Sequence, residues 1–323
     1  MGSRRSRRAV VGLATIAALC AVTACQVPVP VTGAPNCPVT PSDSYWHANV
    51  TSLPVSSSSS TFIATEGASS SLHADFGSGL WDGGPIGIPY VVVPGTQAKV
   101  KVTFSTASES DPGPYPIPAN APVEGGSAST GDRHVIVVDS DHCQLYEMWN
   151  AKLQKDGVSW KAGSGATWSL TSDAMRPAGW TSADAAGLPI LPGLVRYEEV
   201  AAGHVDHAIR ITVPTTRTSY IWPARHQAGS TSSTSAPPMG TWLRLKSTIN
   251  PSSYPASVRP IIVALQTYGA IVADNGSAWY ISGAPDSRWS NDDLHALGSI
   301  TGSDFQVVDA SSLMVDPNSE QAR

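Results

Sequence analysis

Two acidic side chains on one predicted β-hairpin are the leading candidates for acid–base chemistry. Glu147 alternates with Cys143, Leu145 and Trp149, so this carboxyl group is predicted to share a strand face with apolar neighbours. Asp139 lies at the far end of the same hairpin. Glycoside hydrolysis needs two carboxyl groups beside the scissile bond, about 5 Å or about 6.5–9.5 Å apart. The hairpin therefore suggests glycosidase chemistry, with Glu147 as the acid.

In glycoside hydrolysis, Asp206 is an alternative to Asp139 as the second carboxyl group. Glu147 and Asp139 also have structural interpretations. Glu147 could instead be a buried carboxylate paired with an arginine such as Arg133 or Arg210. Asp139 and Asp141 have the composition of turn residues, because short acidic side chains bond the backbone of tight turns.

A second group of polar residues follows later in the chain and suits a polysaccharide lyase. Such an enzyme needs a cation or amide to neutralise a uronate and a tyrosine or histidine to move the proton. In the alternative interpretation His207 is a hydrogen-bonded core histidine, because it shares a predicted strand face with Ile209 and Ile211. The spacing of His204 and His207 is weak evidence for a metal, and no metal or other cofactor is predicted. The group contains His204, His207, Arg210, Tyr220, Arg225 and His226.

Tryptophan is abundant, with 10 residues, and tyrosine contributes nine more. Aromatic faces stack on sugar rings while their polar edges form hydrogen bonds. Trp149 and Trp279 are the predicted substrate-binding residues, and Trp160, Trp168 and Trp289 are further candidates. Most large aromatic residues are nevertheless expected in the core.

The predicted hairpin that carries Glu147 should lie at the centre of a sheet. Residues 135–138 are consecutive β-branched residues, as in a strand that is buried on both faces. Residues 139–142 have turn composition, and residues 143–149 alternate as the return strand.

Other segments predict a β-rich chain with a few short helices. Residues 61–65, 89–93, 97–104, 207–213 and 241–246 have strand patterns. Residues 258–268 form the best predicted helix. We predict a mainly β fold, a sandwich or jelly roll in one globular domain over residues 45–318, with two packed subdomains as the alternative. Residues 319–323 are predicted to be a disordered tail.

Composition and charge limit the possible partners. The chain has 323 residues and a formal net charge of −5. The first 24 residues hold four arginines and no acid, so the remainder has 16 basic and 25 acidic residues, a formal charge of −9. This acidic balance argues against a nucleic-acid partner, which needs a basic surface.

The first 24 residues resemble an export signal. Four arginines precede an uncharged, mostly apolar run that ends in Val22-Thr23-Ala24-Cys25. This ending resembles the lipobox of bacterial lipoproteins, which implies lipidation at Cys25 and anchoring at the outer face of the membrane or the cell surface. An ordinary secretory signal is the alternative, and both the general and the twin-arginine export routes stay open. Residues 25–44 are rich in proline and predict a tether.

Cysteine usage predicts one disulfide. Cys20 belongs to the signal and Cys25 to the lipidation site, which leaves Cys37 and Cys143 as a pair in an oxidising compartment. Two free buried thiols are the alternative.

Several long stretches resemble a family of bacterial exported proteins of uncharacterised function. They are ESDPGPYPIP (109–118), GDRH (131–134), RPAGWTSADAAGLPILPG (176–193) and ADNGSAWY (273–280). The resemblance implies export but no reaction. Together with the residue patterns, it leads us to expect a lipoprotein that binds and possibly cleaves an extracellular polysaccharide. The alternative is a non-catalytic structural or interaction protein of the cell envelope.

Overall fold

A computed structural model describes Gly2 and residues 28–323. The predicted signal peptide and the lipidation site Cys25 lie outside the described residues. Among the described residues, strand accounts for 25% and helix for 18%, so the prediction of a mainly β chain is confirmed.

The described strands are β1 (His73–Asp75), β2 (Leu80–Trp81), β3 (Gly84–Pro85), β4 (Tyr90–Val93), β5 (Val102–Phe104), β6 (Val135–Asp139), β7 (Gln144–Trp149), β8 (Lys152–Leu153), β9 (Trp160–Ala162), β10 (Ser164–Ser169), β11 (Ile209–Val213), β12 (Trp242–Leu245), β13 (Ala270–Asn275), β14 (Tyr280–Ser282) and β15 (Phe305–Val308). They form two larger sheets and two smaller ones. The six-stranded sheet has the order β1–β14–β11–β13–β12–β15, and the four-stranded sheet has the order β10–β7–β6–β4. Parallel pairs β1–β14, β11–β13 and β4–β6 are mixed with antiparallel pairs.

The helices are short. The α-helices are α1 (Ser59–Glu66), α2 (Tyr197–Ala202), α3 (Arg259–Thr267) and α4 (Asn291–His295). Segments of 3₁₀-helix cover Tyr45–His47, Ala107–Glu109, Leu191–Gly193, Pro251–Ser253, Ala256–Val258, Ala296–Ser299, Gly302–Asp304 and Ser311–Leu313. The prediction of a helix near residues 258–268 is confirmed by α3, which buries Ile261, Ile262 and Leu265.

The prediction of a strand at residues 61–65 is wrong, because this segment belongs to α1. Phe62 and Ile63 are buried on this helix, and Gly67 ends it with φ of 96°. A short apolar run does not distinguish a strand from a helix by periodicity. Packing against β15 therefore decides the conformation.

The central hairpin prediction is confirmed. β6 and β7 pair in the middle of the four-stranded sheet, with Val138 opposite Leu145 and Ile136 opposite Glu147. All five residues of β6 are buried, because apolar clusters cover both faces of this sheet. The cluster on one face includes Ile190 and Leu191, and these residues belong to a segment that also contacts the six-stranded sheet. Gly193 of this segment lies against Arg210 of β11.

The disulfide between Cys37 and Cys143 is confirmed, with an S–S distance of 2.06 Å. The tether prediction needs correction from residue 28 onward, because Val31 and Cys37 are buried in the cluster beside the hairpin. The prediction of a disordered tail at residues 319–323 is also wrong. The Glu320 carbonyl accepts a hydrogen bond from the Tyr45 amide at 2.7 Å, and Gln321 forms a β-bridge with Ser44.

Candidate functional site

Glu147 is fully buried between the hairpin and the segment that contains Ile190. Its carboxylate accepts hydrogen bonds from the backbone amides of Ile190 and Leu191, each at 2.9 Å. Burial raises the pKa of Glu147 to about 7, although these hydrogen bonds favour the charged form. The Glu147 carboxyl group therefore provides hydrogen-bond acceptors for two buried backbone amides.

Asp139 lies on the opposite strand face from Glu147. Glu147 pairs with Ile136, and Asp139 follows three residues later along β6, so the alternation of side chains directs the two carboxyl groups away from each other. Asp139 instead accepts hydrogen bonds from the amides of Asp141 and His142, each at 3.1 Å, and from His142 Nδ1 at 2.8 Å. The structure thus does not bring these two candidates together around one bond.

Arg210 of β11 is the centre of a buried ionic group, which we call the Arg210 cluster (Asp184, Arg210, Asp274 and Ser282). Its guanidinium donates to both carboxylate oxygens of Asp184 at 2.8 Å, to Ser282 Oγ at 2.8 Å and to Asp274 Oδ2 at 3.0 Å. Arg210 and Asp184 are almost completely buried. Each nitrogen of this guanidinium therefore has an acceptor within the protein.

Further charged residues surround the Arg210 cluster. Burial alone would lower the pKa of His134, but the charge of Glu124 and a 2.7 Å hydrogen bond to it raise the pKa to about 9. Burial raises the pKa of Asp274, and the nearby charge of Asp184 raises it further. Sequence reasoning did not single out Asp184 or Asp274. His134, Asp184 and Asp274 lie within residues 131–134, 176–193 and 273–280, far apart in sequence, and only the folded chain brings them together.

The predicted histidines bond internally. His207 is buried, with Nδ1 2.8 Å from the Ala208 carbonyl and Nε2 3.3 Å from Glu199. His204 Nδ1 lies 2.5 Å from Asp206 Oδ2. These residues line a cavity of about 10 Å³, which has room for one water molecule. His226 lies elsewhere and bonds the Ala185 carbonyl at 2.8 Å.

Trp149 and Trp279 have different environments. The Trp149 side chain is 39% exposed and donates to Asp132 at 3.0 Å, so part of its ring is accessible. Trp279 is fully buried, stacks on Phe305 and donates to the Gly67 carbonyl at 2.8 Å. A ring in this position has no free face for a sugar, so the assignment of Trp279 to substrate binding is corrected. Trp160, Trp168 and Trp289 are also buried.

Tyr220 lines an open cavity, which we call the Tyr220 cleft. Its volume is about 630 Å³, within the range of about 300–1,000 Å³ that is usual for ligand sites. Residues 56–62, 217–225, 238–242 and 307–318 form its walls, together with Ala178. The lining includes Phe62, Arg217, Tyr220, Ile221, Trp222 and Arg225.

The aromatic floor of the Tyr220 cleft is held in place by packing. The Trp222 ring lies 5.7 Å from the Tyr45 ring and 6.5 Å from the Trp242 ring, and its Nε1 donates to the Ser319 carbonyl at 3.2 Å. Ile221 is 46% exposed beside it. The cleft thus presents a fixed, partly apolar surface to solvent.

Two arginines of the Tyr220 cleft differ in their bonding. Arg225 donates from all three nitrogens, to the carbonyls of Arg176 and Pro317 and to Asn318 Oδ1. Arg217 donates only from Nε, to Ser219 Oγ at 3.0 Å, among the described residues. Arg217 was not among the sequence candidates, since it lies in an irregular segment without periodicity.

Comparisons with known proteins give no relative for this chain: no family model, curated protein or solved structure matches it. Within the described part of the chain, no helix is long and apolar enough to cross a membrane.

Proposed function

We propose that the protein is an exported, lipid-anchored envelope protein that binds an extracellular polysaccharide in the Tyr220 cleft. The observation that carries the proposal is the cleft itself. It has the volume of a ligand site, an aromatic floor and polar groups at its walls. Aromatic faces with nearby hydrogen-bond donors suit sugar rings, which have apolar faces and hydroxyl edges.

The proposed activity is polysaccharide binding, and the assay described below also detects cleavage of the polysaccharide. The first candidate acid, Glu147, has its carboxylate bonded to buried amides, and Arg210 has its donors bonded within the Arg210 cluster. We propose that these residues specify the fold, in which the two larger sheets form the layers of a sandwich. A structural role for Glu147 and Arg210 is also compatible with the alternative, a non-catalytic structural or interaction protein of the cell envelope.

A glycan-binding assay tests the proposal. The full chain, extracted in detergent, is titrated with a panel of soluble polysaccharides while the melting temperature and calorimetric heats are recorded. New reducing ends and ultraviolet absorbance from unsaturated uronates are followed in parallel, so hydrolysis and elimination are detected separately. We expect binding to at least one glycan and a loss of about tenfold or more in affinity for Tyr220→Ala, because a stacked aromatic pair is worth about 0.5–1.5 kcal/mol beyond its buried area.

The matched control is Trp81→Ala, which removes an aromatic ring that is 79% exposed and lies outside the cleft. This variant should bind as the original chain does. Equal losses for both variants would indicate non-specific stacking, and silence across the panel would contradict the proposal.

The anchor is tested with two cysteine variants. Cys25→Ser should move the protein from the membrane fraction to the soluble fraction, because the lipid attaches to this residue in the proposed processing. Cys20→Ser is the control, since Cys20 lies within the predicted signal, and it should leave the protein with the membrane. Unchanged fractionation of Cys25→Ser would contradict lipid anchoring.

A further inference from the structure

Arg217 and Tyr220 present hydrogen-bond donors to the Tyr220 cleft that the protein itself leaves unused. Among the residues that the structure describes, none accepts a hydrogen bond from Nη1 or Nη2 of Arg217, and none bonds the Tyr220 hydroxyl. Both side chains are half-buried and line the same cavity. The cleft therefore contains one cationic donor group and one neutral donor group that are available to a ligand.

The position of Arg217 is restrained even though its outer nitrogens are free. Nε donates to Ser219 Oγ at 3.0 Å, and the guanidinium carbon lies 6.0 Å from the centre of the Phe62 ring. Restraint of a long side chain before binding lowers the entropy that association loses. The open nitrogens of Arg217 are therefore a partly preorganised group.

The charge of the cleft contrasts with that of the chain. Two arginines, Arg217 and Arg225, and one carboxylate, Asp309, line it, whereas the whole chain has a formal charge of −5. Asp309 accepts a hydrogen bond from the Ser311 amide at 3.0 Å. The excess positive charge in the cleft complements an anionic ligand.

We propose that the polysaccharide bound in the Tyr220 cleft carries carboxylate groups, as uronic acid units do, and that Arg217 binds the carboxylate. This inference rests on the proposed function and names its ligand class. A guanidinium matches the two oxygens of a carboxylate with parallel hydrogen bonds, and such charge-assisted bonds are stronger than neutral ones. The Tyr220 hydroxyl supplies a second donor to the same sugar unit, and the ring of Tyr220 covers its apolar face.

A matched pair of ligands tests the carboxylate directly. Oligogalacturonate and its methyl ester have the same sugar chain, but the ester lacks the charge. With the full chain in detergent, calorimetry should give about 10- to 100-fold tighter binding of the free acid, since a hydrogen bond to a charged group contributes about 1.5–3 kcal/mol. Arg217→Gln should remove this preference, and binding of the ester should change little.

Two further variants separate geometry from charge. Arg217→Lys keeps the charge but loses the planar fork, so it should retain only part of the preference. Arg259→Gln removes the same charge from an exposed position on α3 outside the cleft and should retain the full preference. Unchanged melting temperatures in the absence of ligand show that each variant is folded.

Distinct results would overturn this inference and the proposed function. Equal affinity for the acid and the ester would reject the carboxylate while leaving glycan binding intact. Equal losses for Arg217→Gln and Arg259→Gln would reject the assignment to Arg217. Tighter binding of a sulfated dextran than of oligogalacturonate would reject the carboxylate as the preferred anion, and no binding of any glycan would reject both proposals.

Discussion

Arg210 and Arg217 lie close together in sequence but in contrasting surroundings. Arg210 is buried, and Asp184, Asp274 and Ser282 accept hydrogen bonds from its guanidinium. Arg217 lines an open cleft, and Nε is the one guanidinium nitrogen that donates a hydrogen bond to a described residue. A side chain whose bonding groups are already occupied contributes to folding, whereas one with unused donors is available for recognition.

The largest expected effect is on the stability of the Arg210 cluster. Arg210→Met should lower the free energy of unfolding by about 3–5 kcal/mol, because it leaves the buried Asp184 carboxylate without its cation. Arg217→Met should change the free energy of unfolding by no more than about 0.5 kcal/mol, since the side chain is partly solvated and has no ion pair with a described residue. Urea unfolding of both variants measures the difference.

This pair of variants tests whether Arg210 stabilises the fold and Arg217 does not. Similar losses of stability would mean that Arg217 has a structural role like that of Arg210. The oxidised state of Cys37 and Cys143 should be verified in both samples, because loss of the disulfide would lower stability independently.

The sequence predicts which residues form the central strands and which face of a strand is apolar, but it does not predict contacts between segments that are distant in sequence. The strand alternation of β7 correctly predicts that Glu147 faces apolar neighbours, and the β-branched run of β6 correctly predicts a central strand. The bonding partners of Glu147 are amides more than 40 residues later, as the separations of 43 and 44 residues show. No local pattern encodes such a contact, because the tertiary fold brings the two segments together.

The same limit applies to the cleft. Tyr220 was a sequence candidate because of its chemistry, but Arg217 was not, since its segment is irregular. Phe62, which packs against Arg217, comes from a segment that local pattern assigned to a strand and that tertiary packing makes a helix. The walls of the cleft come from several distant parts of the chain, so the cleft is defined only once the chain is folded.

A change in the stability of the folded chain is also expected when pH changes. Burial raises the pKa of Glu147 from 4.5 to about 7 and that of Glu320 from 4.5 to about 8. A carboxyl group with a higher pKa in the folded chain holds its proton more tightly when folded, so stability falls as pH rises from about 4.5 through these values. His134, with its pKa raised to about 9, loses its contribution between about pH 6.5 and 9.

We therefore expect the free energy of unfolding to fall between pH 5 and pH 8, because Glu147, Glu320 and His134 all bind protons more tightly in the folded chain and release part of them over this range. Binding of oligogalacturonate should stay nearly constant over the same range, because the uronate is ionised at both pH values and none of the three titrating groups lines the Tyr220 cleft. Urea unfolding at both pH values gives the first quantity and calorimetry gives the second. Glu320→Gln should reduce the pH dependence of stability, and an unchanged slope in this variant would contradict the assignment.

The last effect concerns Glu147→Gln and distinguishes a structural carboxyl group from a catalytic one. The amide oxygen can still accept a hydrogen bond from Ile190 or Leu191, but the amide group cannot accept from both backbone donors as well as two carboxyl oxygens do. We expect a loss of about 1 kcal/mol in the free energy of unfolding at pH 5 and a smaller loss at pH 8, because the buried glutamine has no charge to gain as pH rises, and no change in the affinity for glycan or in any turnover that the panel reveals. Glu147→Ala leaves both amides without an acceptor and should cost more, about 2–5 kcal/mol. A Glu147→Gln variant that folds, binds glycan normally and loses turnover would instead restore Glu147 as the acid, and the buried network would then have to open during the reaction.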